Sequence, residues 1–420
     1  MLKQRRLNSL ILASLTLLTP LAEAADPIRL GMLHPTTGRY KAEGYEQAQG
    51  IMMAVDEINA NGGIDGHPIE VISADTASRP ERAVEAVNEL INQQATGLFG
   101  GISSDVVIEA GNIARQHQML YLPTMGTANE ITEEHANRYL FREYANAHMT
   151  AMALSFYLNQ SLQDKKLFFI TADYSWGTST EASIRTFTHT TDTSSHPGVK
   201  VPFPRPRQQD LQSALNAAAA SDADILVLVQ FGEDMATALM LADGMGLKEH
   251  MQIVVPILTE SMASTAGAGL MENVVGATTW TWSVPYQFGY ERGQQFVEAY
   301  VERFGQYPGS VAAAAYDSVY QYQNAVDRAG TTSSERVIKA LEGHSYSLLK
   351  DPQQWRALDH QNLQSVYVVR GKPREQVMQS PLRSDYFEVL LSVPGSVSAR
   401  SESDWKDIRR AAGLPEKLTN

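Results

Sequence analysis

From residue 28 onward the spacing of apolar residues switches repeatedly between two periods. Short apolar or alternating runs, as in strands, give way to segments with an apolar residue every third or fourth position, as in helices. Residues 28–33 read as a strand. Residues 45–59 read as a helix with Ile51, Met52, Val55 and Ile58 on one face, closed by Asn61-Gly62-Gly63 as a glycine-rich C-cap would close it. Strands are predicted at 69–74, 98–100 and 119–123. Helices are predicted at 80–93, with Ala83, Val84, Val87, Leu90 and Ile91 inward, and at 105–116. The alternation resumes after Arg142, with helices at 148–159, 179–188, 209–219 and 235–245, a weaker helix at 261–270, and strands at 166–172, 199–203, 225–229 and 253–256. The run Ile225–Val229 is apolar throughout, as a parallel strand covered on both faces is. Two successive β–α arrays imply an α/β fold of two doubly wound lobes with parallel sheets. A chain of 420 residues is also too long for one ordinary core. After a strand at 274–282 helices dominate (290–304, 311–329, 334–342). A β-rich segment (364–369, 386–391) and a short helix at 403–412 follow. Such late elements complete one lobe or the other, so each domain is expected to be discontinuous.

The first 24 residues stand apart. Lys3, Arg5 and Arg6 precede a short apolar run, and Ala22-Glu23-Ala24 ends it, which is the pattern of a secretory signal peptide cleaved near Ala24/Ala25. The run is shorter than the roughly 20 residues a membrane span needs, so the expectation is an exported chain with no stable membrane anchor. There is no cysteine. Disulfides, thiol catalysis, thiolate metal sites and lipidation of an N-terminal cysteine are therefore excluded, and a freely soluble protein of a bacterial periplasm fits best. A formal net charge of −13 without Lys/Arg blocks argues against nucleic acid as a partner.

Enzyme signatures are absent. There is no Gly-x-Ser-x-Gly elbow, no His-Glu-x-x-His, no Walker loop and no Gly-x-Gly-x-x-Gly after a strand. The ten histidines are scattered without ligand spacing and read as surface or helix-end residues. No catalytic residue, cofactor or metal is expected.

In open α/β sheets ligands bind beyond the carboxyl ends of the strands, which selects residues 35–45, 101–104, 124–127, 174–176, 231–233 and 257–260. Ser103 and Ser104 open a helix. An N-cap hydroxyl accounts for one of them; the second, with free N–H groups at the positive helix end, suits a carboxylate or another acceptor, and that reading is placed ahead. Thr127 is a turn cap or a ligand contact. Trp176, beside a glycine, is expected to form a cleft wall; Phe231 is a cleft wall or core. Glu43 and Glu260 are the polar candidates, against the commoner fate of solvated acids. Trp280 and Trp282 alternate on a strand and are expected to share a face, packing between lobes or touching ligand.

At these junctions the chain resembles the type I periplasmic binding proteins of the leucine/isoleucine/valine-binding branch. Ala54-Val55-Asp56-Glu57-Ile58-Asn59-Ala60-Asn61-Gly62-Gly63-Ile64 is the most specific match. Thr37-Gly38, Ala74-Asp75-Thr76-Ala77, the Gly100–Ser104 turn, Ala128-Asn129-Glu130-Ile131-Thr132 and Ala314-Ala315-Tyr316-Asp317 support it, as do stretches 139–142 and 174–177. The resemblance implies two lobes on a three-crossover hinge, divided as 25–143 with about 283–345 and 144–282 with about 346–420, the latter including a C-terminal extension. It implies a monomer that binds a small-molecule ligand and delivers it to the permease subunits of an ABC importer for branched-chain amino acids, amides, urea or aromatic acids. Ser104 and Thr127 match positions that hold a ligand carboxylate, and Met125 one that offers backbone contacts. Ser103 neighbours that site, Trp176 and Phe231 match aromatic positions of the second lobe, and Glu43 falls at the cleft mouth. Amino-acid receptors carry an acid after a second-lobe strand where this chain has Ile257 and Leu258; Glu260 substitutes for it if the loop shifts. Asp359-His360-Gln361 with Tyr367 resembles relatives that take aromatic acids. A soluble ligand-sensing module and an exported α/β enzyme are the alternatives.

Overall fold

The computed structural model describes residues 25–161 and 165–418. The expected signal peptide, residues 1–24, lies outside them. Two sheets organise the chain. The first contains β1 (Ile28–His34), β2 (Ile69–Asp75), β3 (Gly97–Gly100) and β4 (Tyr121–Leu122) in the order β2-β1-β3-β4, all parallel. The second is built on β5 (Leu167–Ala172), β6 (Gly198–Val201), β7 (Ile225–Val229), β8 (Gln252–Val255) and β9 (Val275–Thr278). A small antiparallel sheet of β10 (Ser345–Tyr346), β11 (Gln353–Trp355) and β12 (Asn362–Leu363) precedes β13 (Val366–Gly371) and β14 (Phe387–Val393). These last two extend the second sheet antiparallel, giving the order β14-β13-β9-β8-β7-β5-β6. β5 and β7 are buried at every position, as central strands covered on both faces must be. The edge strand β14 buries only Phe387 and Val393.

The helices that flank these strands are α1 (Lys41–Ala60), α2 (Pro80–Asn92), α3 (Ser104–Gln116), α4 (Ala147–Ser161), α5 (Ser175–Phe187), α6 (Gln208–Ala219), α7 (Gly232–Gly244) and α8 (Glu260–Ala266). The chain passes between the two sheets from β4 to β5, from β9 to the helix Glu291–Phe304, and from the helix Ser334–Leu341 to β13. Hydrogen bonds tie these crossings together. The Arg142 amide donates to the His360 carbonyl and the Asn362 amide to the Arg142 carbonyl, at 3.0 Å each. The buried Lys350 ammonium donates to the Thr279 carbonyl (2.6 Å) and to Gln364 Oε1 (2.8 Å).

Three expectations change. Helices α1 and α5 begin about a turn before their apolar periodicity does, because their first turns bury polar or aromatic groups that the period does not register: Glu43 and Glu46 in α1, Trp176 in α5. Trp176 therefore belongs to a helix and not to a loop. The strand expected through residue 282 ends at Thr278, so Trp280 and Trp282 do not share a strand face. Trp280 is buried and donates its Nε1–H to the Pro308 carbonyl (3.2 Å), while Trp282 stacks on Tyr307 at 4.1 Å. His360 is buried and neither a surface nor a helix-end residue, stacked on Phe141 at 3.7 Å, whereas His148, buried as well, stands at the start of α4.

Beyond β14 the chain returns to the segment that follows β4. In the helix Glu402–Ala411, Trp405 is fully buried and its Nε1–H donates to the Thr132 carbonyl (2.7 Å); the Arg409 guanidinium donates to the Glu133 carbonyl (2.7 Å). Trp405→Ala is expected to cost about 3–5 kcal/mol, read as a lower urea midpoint. Among the described residues no helix is long and apolar enough to cross a membrane.

Candidate functional site

The carboxyl ends of β1, β3 and β4 meet at one side chain, Gln47 of α1. Its Nε2 donates to the Leu33 carbonyl (3.0 Å), and its Oε1 accepts from the Gly101 amide and the Thr124 hydroxyl, both at 2.9 Å. Gly100 and Gly101 run at φ +88° and +104°; a Cβ on Gly100 would lie 2.5 Å from Gln47 Nε2, so only glycine passes beneath that amide. The turn delivers Ser103 and Ser104 to the start of α3. Ser104 Oγ accepts from the backbone amides of Thr127 and Ala128, each at 3.1 Å. Ser103 occupies the N-cap position by backbone, but its side chain makes no cap hydrogen bond, and its buried hydroxyl has no partner among the described residues. Ser104 Oγ thus braces the Thr127 turn as an acceptor, and Ser103 holds a buried hydroxyl without a partner among the described residues. Arg142 supports the same turn from behind. Its buried guanidinium donates to the carbonyls of Gly126 and Ala128, to the Thr132 hydroxyl and to Gln361 Oε1 (2.7 Å). Met125, within the same turn, is buried.

The second lobe answers with aromatic rings at the starts of α5 and α7. Trp176 lies 5.9 Å from Phe231, and Phe231 meets Tyr40 edge-on at 5.1 Å. Tyr174 stacks on Phe203 at 3.8 Å, and its hydroxyl lies 3.0 Å from that of Tyr40. The Nε1 of Trp176 is buried without a hydrogen-bond partner among the described residues. The lobes also touch through polar pairs. Arg39 bridges to Asp234 (2.7 Å) and Glu233 (3.2 Å), the Ser175 hydroxyl donates to Asp105 (2.5 Å), and Asn129 bonds Ser179 and Ser183.

Glu43 and Glu260 are not solvated. Glu43 is 1% exposed; its Oε1 accepts from the Ser261 hydroxyl (3.1 Å) and its Oε2 has no partner among the described residues. Glu260 is 8% exposed, with Oε2 accepting from the Ser310 amide (3.3 Å) and Oε1 unpartnered. Glu46, one turn beyond Glu43, accepts from the Ala312 amide (3.3 Å). Burial, which disfavours the charged form, pushes the Glu43 and Glu46 carboxyls up to about 7 and Glu260 well above the ordinary range.

Of the expected residues, Ser103, Ser104, Met125 and Thr127 thus gather at the first lobe's strand ends, and Trp176 and Phe231 share one aromatic cluster across from them. Glu43 and Glu260 sit to one side, against α8 and the start of the helix Ser310–Ala329. Ile257 and Leu258 are buried apolar residues. Asp359, His360 and Gln361 are engaged within the protein: Asp359 pairs with Arg356, His360 contacts Glu342 and Gln361 receives Arg142. Sequence reasoning passed over Gln47, Tyr40, Phe203 and Glu46. Tyr40 lay within one of the selected junctions and Phe203 ended the strand predicted at 199–203; Gln47 and Glu46 carry no local signal, since their partners come from distant segments.

The family profile described as periplasmic binding protein matches residues 27–376. The Leu/Ile/Val-binding protein homolog 7 of Brucella melitensis is 26% identical over 311 residues, covering 70% of this chain and 75% of its own. Among solved structures, a periplasmic binding protein from Burkholderia mallei superposes with a TM-score of 0.81 at 23% identity, over 90% of this chain and 97% of that one. A solute-binding protein of an ABC transporter from Rhodopseudomonas palustris, in complex with 3,4-dihydroxybenzoic acid, gives a TM-score of 0.76 at 19% identity, over 88% and 98%.

Proposed function

The chain belongs to the periplasmic binding protein family, and we propose that it is the substrate-binding receptor of an ABC importer, closing its two lobes on a small carboxylate- or amide-containing solute and handing it to a permease. The family consists of binding proteins and not enzymes. In this reading residues 1–24 are removed on export, the mature monomer has no membrane anchor, and the lobes divide near residues 143, 283 and 345. Ser103, with the turn that Ser104 and Thr127 build, receives the polar end of the solute, and Trp176 and Phe231 cover it. The solutes named for the relatives, branched-chain amino acids and an aromatic acid, set the range to be searched.

One observation carries this reading: buried polar atoms without partners among the described residues stand on both faces of the lobe junction, the Ser103 hydroxyl on one and Trp176 Nε1 on the other. Burying a polar group unpaired costs about 1–3 kcal/mol, a cost that a solute reaching both removes, and contacts in both lobes favour the closed form. A thermal-shift screen of amino acids, amides, ureas and aromatic acids finds the solute. Ser103→Ala and Trp176→Ala are then expected to weaken it by about tenfold or more; the ligand-free melting temperature holds in Ser103→Ala and falls in Trp176→Ala, which empties a buried ring position. Wild-type affinity in both variants, measured by calorimetry, excludes this site.

A further inference from the structure

The loops that follow β1, β2 and β6 meet around a cavity of about 270 Å³, lined by residues 38–39, 77–79 and 204–205. Three arginines line it, Arg39, Arg79 and Arg205, and no acidic residue does, in a chain whose formal net charge is −13. Ser103, Thr127, Trp176 and Phe231 are not part of its wall. The three guanidiniums are not equally engaged. Arg39 is neutralised by Asp234 and Glu233, and its Nε–H donates to the Pro204 carbonyl (3.1 Å), which ties the β1 loop to the β6 loop. Arg79 has an exposed contact to Glu81 at 3.5 Å, and such a pair neutralises little. Arg205 has no ion pair or side-chain hydrogen bond among the described residues. Asp75, at the end of β2, is occupied by the Thr36 and Ala77 amides and the Thr37 hydroxyl.

We propose that this cavity binds a divalent tetrahedral oxyanion, a phosphate or sulfate group, between Arg79 on the side of the first sheet and Arg205 on the side of the second. Two guanidiniums of like charge on one cavity repel each other, and a dianion between them matches their summed charge and turns repulsion into attraction. Each planar fork takes two oxygens. Two forks therefore use four, which a tetrahedral oxyanion has and a carboxylate has not. A recess lined by one sign of charge also concentrates the opposite ion. The loops are held in place for this. Ala77 and Ser78 run at φ +49° and +56°, two successive non-glycine residues in the left-handed region, a conformation that clusters at ligand clamps. The Ala77 amide is fixed by Asp75 (2.9 Å), and Ser78 Oγ accepts from the Tyr40 amide (3.1 Å). A Cβ on Gly38, at φ +87°, would lie 2.2 Å from the Ala77 carbonyl oxygen, so only glycine lets the β1 loop lie against this turn. Pro204 and Pro206 fix φ on either side of Arg205. Because the two arginines follow strands of different sheets, occupancy favours the arrangement in which those loops meet, independently of a solute at Ser103 and Trp176.

Calorimetry on the full mature chain at pH 8 in a fixed chloride background, with sulfate, inorganic phosphate, glycerol 1-phosphate and acetate as probes, tests the assignment. The dianions are expected to bind and acetate not to. Arg79→Ala and Arg205→Ala are each expected to weaken the dianions at least tenfold, as loss of a charge-assisted hydrogen bond does. Arg82→Ala removes the same charge from α2 without touching the cavity wall, and it is expected to leave them within twofold, as is Ser103→Ala. Arg79 and Arg205 are exposed, so both variants are expected to fold, which a melting curve checks. Glycerol 1-phosphate at least tenfold tighter than inorganic phosphate assigns the site to a phosphate ester, and equal affinity assigns it to the free ion. Acetate binding as well as sulfate, full affinity in either of the Arg79 and Arg205 variants, or an equal loss in Arg82→Ala would each overturn the proposal. If a solute from the screen binds and the dianions do not, the oxyanion site falls and the receptor reading stands. If the dianions bind in this pattern and no screened solute does, the reverse holds.

Discussion

Replacing Arg142 with methionine is expected to lower the stability of the chain by about 3–5 kcal/mol, the range for breaking a buried, hydrogen-bonded charge network. The side chain is fully buried. Its guanidinium donates to two carbonyls of the Thr127 turn, to the Thr132 hydroxyl and to Gln361, and its own backbone pairs with His360 and Asn362 at the hinge. Methionine fills much of the volume but leaves those acceptors buried without donors, and each such group costs about 1–3 kcal/mol. Lysine is expected to rescue little, since a single ammonium cannot reproduce the planar fork that reaches acceptors on three segments at once. Burial already pulls the guanidinium down to about 10, and an ammonium there is desolvated in the same way. The readout is urea denaturation of Arg142→Met and Arg142→Lys beside wild type. A loss below 1 kcal/mol in the methionine variant would show that the turn and hinge hold without the fork. The same variants are expected to weaken solute binding, because Ser104 and Thr127 are placed by the turn that Arg142 braces.

The architecture was legible because both arrays are built of covered parallel strands, whose apolar runs such as Ile225–Val229 survive any local detail. The strand-end rule selected junctions that the fold brings together, Ser104 with Thr127 and Trp176 with Phe231. What failed to read was polar burial. Glu43, Glu46 and Gln47 lie in the first turns of α1, where hydrophobic periodicity counts them as solvent-facing. Glu43 and Glu46 are buried because α8 and the start of the helix Ser310–Ala329 close over them, more than 200 residues later in the chain, and Gln47 because the ends of β1, β3 and β4 converge on it. The two serines illustrate a finer limit. Capping chemistry shows that one hydroxyl is spare, but which one is spare depends on where the Thr127 turn lands. That turn supplies its amides to Ser104, leaving Ser103 free, and Arg142 and Gln361 fix its position from outside the local sequence.

The ligand-free chain is expected to be more stable at pH 5.5 than at pH 8, by on the order of 5 kcal/mol, since each full unit of pKa shift is worth about 1.4 kcal/mol. Glu43 and Glu46 are raised from 4.5 to about 7, Glu260 and Glu143 stand well above the ordinary carboxyl range, and Asp317 at the hinge is raised to about 7, in every case chiefly by burial. Between pH 4.5 and 7 the folded chain holds these protons and the unfolded chain does not. The stability they contribute is complete below the ordinary carboxyl value and is lost as pH rises through the raised values. Buried histidines oppose this on the acid side. His148 is lowered to about 3 by desolvation, so the unfolded chain binds its proton first as pH falls below 6.5, and His360 is lowered in the same direction. The carboxyls outnumber them in the window from 5.5 to 8, which sets the sign. Urea denaturation at pH 5.5, 7 and 8 measures the slope. Glu43→Gln, Glu46→Gln and Glu260→Gln combined in one chain are expected to flatten it and to raise stability at pH 8, because the amides need no proton. Stability that rises from pH 5.5 to 8 would mean that the three carboxyls are ionised and compensated in the native state.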